Sequence, residues 1–461
     1  MNTKKMLAIN YQTDDPFAIY GIRHFIQKFG LPVKININEP SKICISYGNS
    51  VSSGEFTIEV PEKQIENEFS GCLGIDEQEI PVFELIDRDT STENNRIILN
   101  LDVFKEVGHI LSGHLENLPE EQKKKIAKIP LVDIYEKFLF DKVLFASKQL
   151  NVSIESKPLW PNGKSFAVCL THDVDEIRKT YQYFTRPLIH ARRLEFGRAL
   201  YHIKSFLTDK ISGNNPYWTF EEIMNLEDEL GVRSTFFFLQ EDARVELSKP
   251  ETWRHYGRRY RFDNIEIIKL INKLSSGGWE IGLHGSFYSY NNKKKLMREK
   301  KDLEEALGGK IHGIRQHNLN LKIPETWQYQ EEIGLEYDTS LGPKGNTGFR
   351  WGTSFPFYPL NPENGRPVSI LEVPLSIMDI HLFRSKKNAW NEFLEVLKMV
   401  EKHNGLLTVL FHHTVFNDRE YPAWTDMYKK IINLCKEKGA WITNANEINK
   451  WWRSRKNGNN S

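Results

Sequence analysis

From residue 165 onward, short apolar runs alternate with amphipathic helical segments. The runs are SFAVCLTH (165–172), RSTFFFLQ (233–240), WEIGLH (279–284), KIHGIRQH (310–317), LEYDTSL (335–341), ILEVPL (370–375), LLTVLFHH (406–413) and AWITNA (440–445). Such alternation leaves few folds open: it predicts a parallel sheet whose strands are joined by crossover helices. Seven or eight repeats in about 300 residues fit a closed (β/α) barrel better than an open sheet. The helical segments carry their own punctuation. In 263–276, Asp263 can cap, Glu266 follows three residues on, and Ile267, Ile271 and Leu274 form a stripe that Gly277 and Gly278 end.

The first 150 residues have a different texture. PVKININ (32–38), KICIS (42–46), EFTIEV (55–60), PVFEL (81–85) and NRIILN (95–100) read as strands, and 102–115 and 130–150 as helices, the second opening at Pro130. This is a small α+β domain without a catalytic motif. A linker falls at 151–164, where ESKPLWPNGK carries two prolines and a glycine. The fold class is therefore α/β: a smaller α+β domain (1–150), then a distorted barrel (165–452). The polar tail 453–461 reads as disordered.

Composition removes several function classes. The 461 residues hold 62 Lys plus Arg against 61 Asp plus Glu, a net charge of +1 that argues against a nucleic-acid partner. Mean hydropathy is −0.51, and no apolar run is long enough for a transmembrane segment or a signal peptide, so a cytoplasmic location is expected. Cys44, Cys72, Cys169 and Cys435 lie too far apart for a cysteine zinc motif. The oligomeric state is left open.

Ionisable residues gather at the ends of the predicted strands. His172, Asp173 and Asp175 end the first, His284 the third, Arg315 and His317 the fourth, Asp338 the fifth, and His412 and His413 the seventh. In a parallel barrel the carboxyl ends of all strands meet at one face, so these groups converge. In THDVD (171–175), one carboxylate can ligate a metal while the other accepts a proton from water; a turn or helix cap would use the same residues. LHGS (283–286) offers an imidazole, and IRQH (314–317) pairs a guanidinium with another. LFHH (410–413) places a histidine opposite the first strand, which suits a general acid.

These motifs, in this order, resemble the polysaccharide deacetylases of carbohydrate esterase family 4, the NodB-homology domain, and within it the bacterial subgroup whose first motif reads HDVD. The resemblance covers roughly 165–450. The first 150 residues resemble a domain of unknown function found ahead of such barrels. The resemblance implies a distorted seven-stranded (β/α) barrel that hydrolyses acetyl groups from an amino sugar or polysaccharide precursor with a divalent metal, zinc. It implies Asp173 as base, Arg315 as the residue that steadies it, His412 as general acid and Asp338 as the residue that tunes the acid. It implies Asp175 and His284 as metal ligands, although the family's metal-binding Asp aligns with Val174, so Asp175 would need a local change of backbone. The family's second ligand histidine is absent, since Tyr288 stands at its spacing. His317, where the family's third motif has a proline, becomes the third candidate. The family's Trp after the fourth motif is also missing, with Trp351 nearby. Two other classes fit the same residues: a non-catalytic glycan-binding relative that has lost the metal, and a different metal-dependent amidohydrolase.

Three further segments bear on the substrate. WRHYGRRYRF (253–262) sets Arg254, Arg258, Arg259 and Arg261 among aromatic residues and suits an anionic sugar, a nucleotide-sugar phosphate or a lipid-linked glycan, with a solvated basic loop as the other reading. The insertion 176–218 reads as a lid over the pocket, with contact to a membrane surface as the other reading. GFRWGTSFPFYP (348–359) offers rings for sugar stacking or for the core.

Overall fold

The computed structural model describes residues 6–37, 39–51, 54–66, 68–86, 89–246, 248–249, 252–253, 260–384 and 388–456. The amino-terminal part contains β1 (Leu7–Tyr11), β2 (Val33–Ile35), β3 (Ser41–Tyr47), β4 (Gly54–Val60), the hairpin β5 (Gly71–Ile75) and β6 (Gln78–Val82), then β7 (Ser91–Glu93) and β8 (Arg96–Ile98). Its sheet runs β2-β1-β3-β4-β8-β7, and every pairing except β7–β8 is parallel. This departs from the α+β expectation, and the reason is local. The helix Pro16–Phe29 is a crossover connection that leads from β1 to β2, which a parallel pair requires. Its boundaries are set by side chains: Asp15 accepts from the N–H groups of Phe17 and Ala18, Pro16 opens the first turn, and Gly30 closes the helix at φ 58°.

The second part is one curled sheet of parallel strands. In chain order these are β9 (Ala167–Val174), β10 (Thr235–Leu239), β11 (Glu280–Gly285), β12 (Gly313–Gln316), β13 (Tyr337–Asp338), β16 (Leu371–Glu372), β17 (Ile377–Met378), β18 (Leu406–Leu410) and β19 (Trp441–Thr443). A small hairpin, β14 (Leu360–Asn361) and β15 (Arg366–Pro367), interrupts the series. The order is β16-β13-β12-β11-β10-β9-β18-β17, with β19 added beside the first half of β9. The expected seven strands are therefore eight along the sheet path plus a ninth. β17 matches none of the apolar runs: two residues long, it follows the run ILEVPL (370–375), which supplies β16. No ladder joins β16 to β17 among the described residues, so the sheet curls without closing.

Strand interiors follow the rule for parallel sheets covered on both faces. Every residue of β9, β10 and β18 is buried. The helix of 265–276 begins one residue later than expected, because Asn264, not Asp263, accepts from the Glu266 N–H. The carboxyl-terminal helix Ala445–Lys456 includes 453–456, where disorder was expected; Trp452 is buried in it, and the Arg455 side chain donates to the Lys28 carbonyl at 2.6 Å. Residues 457–461 lie outside the described residues.

The two parts are tied by buried polar bonds. Asp133 accepts from Thr353 Oγ1 (2.8 Å), from the Ser354 N–H (2.9 Å) and from Ser354 Oγ (2.6 Å), while Lys28 lies 3.1 Å away. Tyr20 donates to the Tyr358 carbonyl, and Arg350 and Trp351 both donate to Glu116. Within 151–164, Trp160 is fully buried and donates to the Asn404 carbonyl. No described helix is long and apolar enough to cross a membrane.

Candidate active site

Strand β9 sorts its residues by alternation. Side chains two apart share a face, so Thr171, Asp173 and, just past the strand end, Asp175 turn to one side while His172 and Val174 turn to the other. No unusual backbone is needed to bring Asp175 beside Asp173. His172 leaves the site altogether: its Nδ1 donates to the Phe411 carbonyl at 2.7 Å and its Nε2 meets Glu227 at 3.0 Å, within the helix layer.

Asp173 is buried and held by Arg315, whose Nη1 donates to Oδ1 at 2.8 Å. Arg315 is itself fully buried on β12. Its Nη1 also donates to Thr171 Oγ1, its Nε to the Thr339 carbonyl and its Nη2 to Thr339 Oγ1, and its guanidinium lies 4.8 Å from the centre of the Phe237 ring. Four partners in one plane fix the guanidinium and, through it, the direction of the Asp173 carboxylate.

His284 ends β11. Its Nδ1–H donates to the Arg315 carbonyl at 2.8 Å, which leaves the Nε2 lone pair facing inward. That nitrogen lies 3.2 Å from Asp175 Oδ1 and 3.7 Å from Asp173 Oδ2. His317 follows β12 in a short turn with Asn318 at φ 57° and Leu319 at φ 53°. The turn folds the imidazole back toward His284, with ring centres 5.4 Å apart. One ligand-type atom from each of Asp175, His284 and His317 lies within 4.8 Å of the others. One carboxylate oxygen and two imidazole nitrogens, with one imidazole already oriented by a carbonyl, form a donor set suited to zinc with a position left for water or substrate. Tyr288, at the spacing of the family's second histidine, is largely exposed.

His412 follows β18. Its backbone N–H donates to Asp379 Oδ2 at 2.7 Å and its Nδ1 to Asp379 Oδ1 at 2.9 Å. Burial disfavours the charged imidazole. Asp379 more than offsets this, with Asp175 and Asp173 adding to the effect, and the His412 pKa is raised to about 10. The ring therefore carries its proton at neutral pH, with Nδ1 engaged by Asp379. Sequence reasoning missed Asp379. It sits just after β17, the short strand that was not predicted, and no motif marks it.

Asp338 was expected to tune that acid. The structure places it elsewhere, because its carboxylate is taken up by other groups: Oδ1 accepts from the Ser340 N–H and Oγ, and Oδ2 from Trp327 Nε1 and Gln330 Nε2. Trp327 also donates to Glu372, and burial raises the pKa of Asp338 to about 6 and that of Glu372 well above the usual carboxylate range. This buried carboxyl pair belongs to the wall of the barrel. His413, next to His412, sets its two ring nitrogens against the carbonyls of Asp173 (3.1 Å) and Glu176 (2.9 Å) at the end of β9, and burial lowers its pKa to about 4, so its neutral ring donates to one of them.

The other sequence candidates separate. In 348–359, Phe349, Trp351, Phe355 and Phe357 are buried, so this aromatic stretch is core rather than a sugar platform. Arg254, Arg258 and Arg259 lie outside the described residues; Arg261 is exposed near Asp263.

No family model matches this chain, and no curated protein matches it. Among solved structures, the chain is similar to a presumptive polysaccharide deacetylase from Mycobacterium smegmatis (18% identity, 64% of this chain and 93% of that one, TM-score 0.42). It is also similar to a pseudoenzyme of carbohydrate esterase family 4 from Bacillus anthracis (14% identity, 63% and 66%, TM-score 0.33). A third is a peptidoglycan deacetylase from Bacillus subtilis (12% identity, 65% and 96%, TM-score 0.32).

Proposed function

We propose that the chain is a metal-dependent hydrolase that removes acetyl groups from an amino sugar or polysaccharide precursor. One observation carries this reading: His284 Nε2 lies 3.2 Å from Asp175 Oδ1 and 3.7 Å from Asp173 Oδ2, so the candidate ligand group and the carboxylate clamped by Arg315 lie side by side. Asp175, His284 and His317 would hold the metal. A divalent ion there supplies Lewis-acid polarisation of the acetyl carbonyl and makes water easier to deprotonate.

The remaining chemistry falls to the protein. Asp173, fixed by Arg315, takes one proton from the attacking water as its oxygen bonds to the carbonyl carbon. His412 gives its Nε2 proton to the departing amine or alkoxide as the C–N or C–O bond breaks. Asp379 keeps that proton in place until then. Water is consumed, and acetate and the free sugar amine or hydroxyl are released.

The test combines metal content with acetate release from N- and O-acetylated sugars and their oligomers. The expected result is about one divalent metal per chain, lost in His284→Ala and in His317→Ala. Acetate release should stop on chelation and in Asp173→Asn. Metal-free wild-type protein that releases no acetate from any sugar but still retains glycans would favour the glycan-binding reading. Hydrolysis of cyclic amides in preference to acetylated sugars would favour the other amidohydrolase.

A further inference from the structure

The segment after Asp175 forms a helical hairpin, Gln182–Arg192 and Phe196–Ser212, that grows from the carboxyl end of β9. It is anchored on its inner side. Lys179 pairs with Glu420, Arg186 with Tyr421, and Tyr181 and Gln182 both donate to Glu176; His190 and His202 are buried between the helices, their rings stacked 5.2 Å apart. Its outer side has no such partners. Nine of the nineteen exposed large hydrophobic residues among the described residues lie on this hairpin, between 43% and 87% exposed.

These residues are ordered. On the second helix Phe196, Leu200, Ile203, Leu207 and Ile211 recur at intervals of three and four and make one stripe, opposite the buried Ala199, His202 and Ser205. Phe184 and Leu188 line the outer side of the first helix, and Leu194 at the tip has φ 59° and is 76% exposed. Lys204 and Lys210 flank the stripe, one on each side, at 100° per residue. Six cations against two anions give the hairpin a clear positive charge in a chain of net charge +1. Arg192, Arg193, Lys204 and Lys210 are exposed and form no ion pair among the described residues. The stripe is open to solvent.

We propose that this hairpin docks on an anionic lipid bilayer. The apolar stripe would enter the interface, and the flanking lysines and tip arginines would meet the head groups. Charge complementarity and the snorkelling arrangement of long cations beside an apolar stripe select this occupant. Because the hairpin leaves the strand end that carries Asp175, docking would set the candidate active site at the membrane surface. Resting on the deacetylase reading, the substrate would then be an acetylated sugar carried on lipid.

The docking measurement needs neither metal nor substrate; acetate release from soluble acetylated sugars is measured beside it. Full-length protein is sedimented with vesicles of phosphatidylcholine alone and of phosphatidylcholine mixed with phosphatidylglycerol, and its mass in solution is measured by light scattering. Binding to the anionic vesicles is expected, weakening with salt and falling roughly a hundredfold in Leu200→Gln/Leu207→Gln from the apolar area lost. Circular dichroism of this exposed-site variant checks that it folds. Three results would overturn the proposal: no binding to either vesicle; a wild-type dimer that the variant converts to monomer without any lipid binding; or equal loss of activity on soluble sugars with vesicle binding unchanged, which would make the hairpin a lid. If vesicles bind but no acetate is released, docking stands and the deacetylase reading fails.

Discussion

Replacing Asp379 by Asn removes the carboxylate that holds His412 protonated. The folded pKa of about 10 lies above the ordinary imidazole value, so the acid form persists across neutral pH and is lost only as pH rises through that value. In Asp379→Asn the loss should begin nearer neutrality. The alkaline limb of the kcat profile should move to lower pH, and kcat at its optimum should fall by roughly 10²–10⁴, the usual contribution of a general acid. An alkaline limb that stays in place would remove His412 from the acid role. The same position shows what a sequence cannot display. His412 is legible as a histidine after an apolar strand, and Asp173, Asp175, His284 and His317 are legible for the same reason. Asp379 is an ordinary Asp after a two-residue strand, and only the chain's return beside β18 makes it the partner of His412. Asp338 is the converse: it holds a strand-end position, yet Trp327 and Gln330, on a helix ahead of it, take its carboxylate out of the site.

Strand identity was readable from apolar runs, but register and neighbours were not. Gly313 on β12 is paired with Tyr337 on β13, and the Tyr337 ring lies over it so closely that an added Cβ would stand 1.8 Å from Cζ. Gly313→Ala must push that ring away, and Tyr337 is buried with its hydroxyl on Glu280. A loss of about 1–3 kcal/mol is expected from this overpacking, measurable by urea denaturation. An unchanged midpoint would show that the ring moves freely. Arg315 lies two residues along the same strand, so a second readout is a weaker hold on Asp173, seen as a reduced kcat. Alternation along β9 belongs to this scale as well. Thr171, Asp173 and Asp175 share one face and His172 and Val174 the other, so removing one residue from the strand ahead of them would exchange the two sets. The amino-terminal sheet was misread for a related reason. Its strands were mostly found, but the first strand and the helix Pro16–Phe29 were passed over although Asp15, Pro16 and Gly30 mark the helix, and without them the parallel crossover could not be read.

The molecule as a whole is joined through Asp133. Its two oxygens accept three hydrogen bonds from Thr353 and Ser354 and also neutralise the buried Lys28. Asp133→Ala would leave Lys28 with Glu136 as its remaining buried acidic partner and free the 353–354 turn. A loss of about 3–5 kcal/mol is expected, with tryptophan fluorescence and far-UV circular dichroism following one shared transition in urea. Two well-separated transitions in the wild type would show that the parts are independent. Sequence texture changes near 151–164, but the buried Trp160 and the bonds across that stretch involve partners hundreds of residues apart, beyond the reach of any local signal. The Ser354 carbonyl also accepts from the Leu406 N–H, at the start of β18, whose far end leads to His412. The opening 150 residues thus support the base of the strand that leads to His412, the proposed acid. A barrel of this kind cannot be exchanged between proteins as a free-standing cassette: recombination that gave it a different leading segment would leave every reactive side chain in the gene and still lose the alignment on which their chemistry depends.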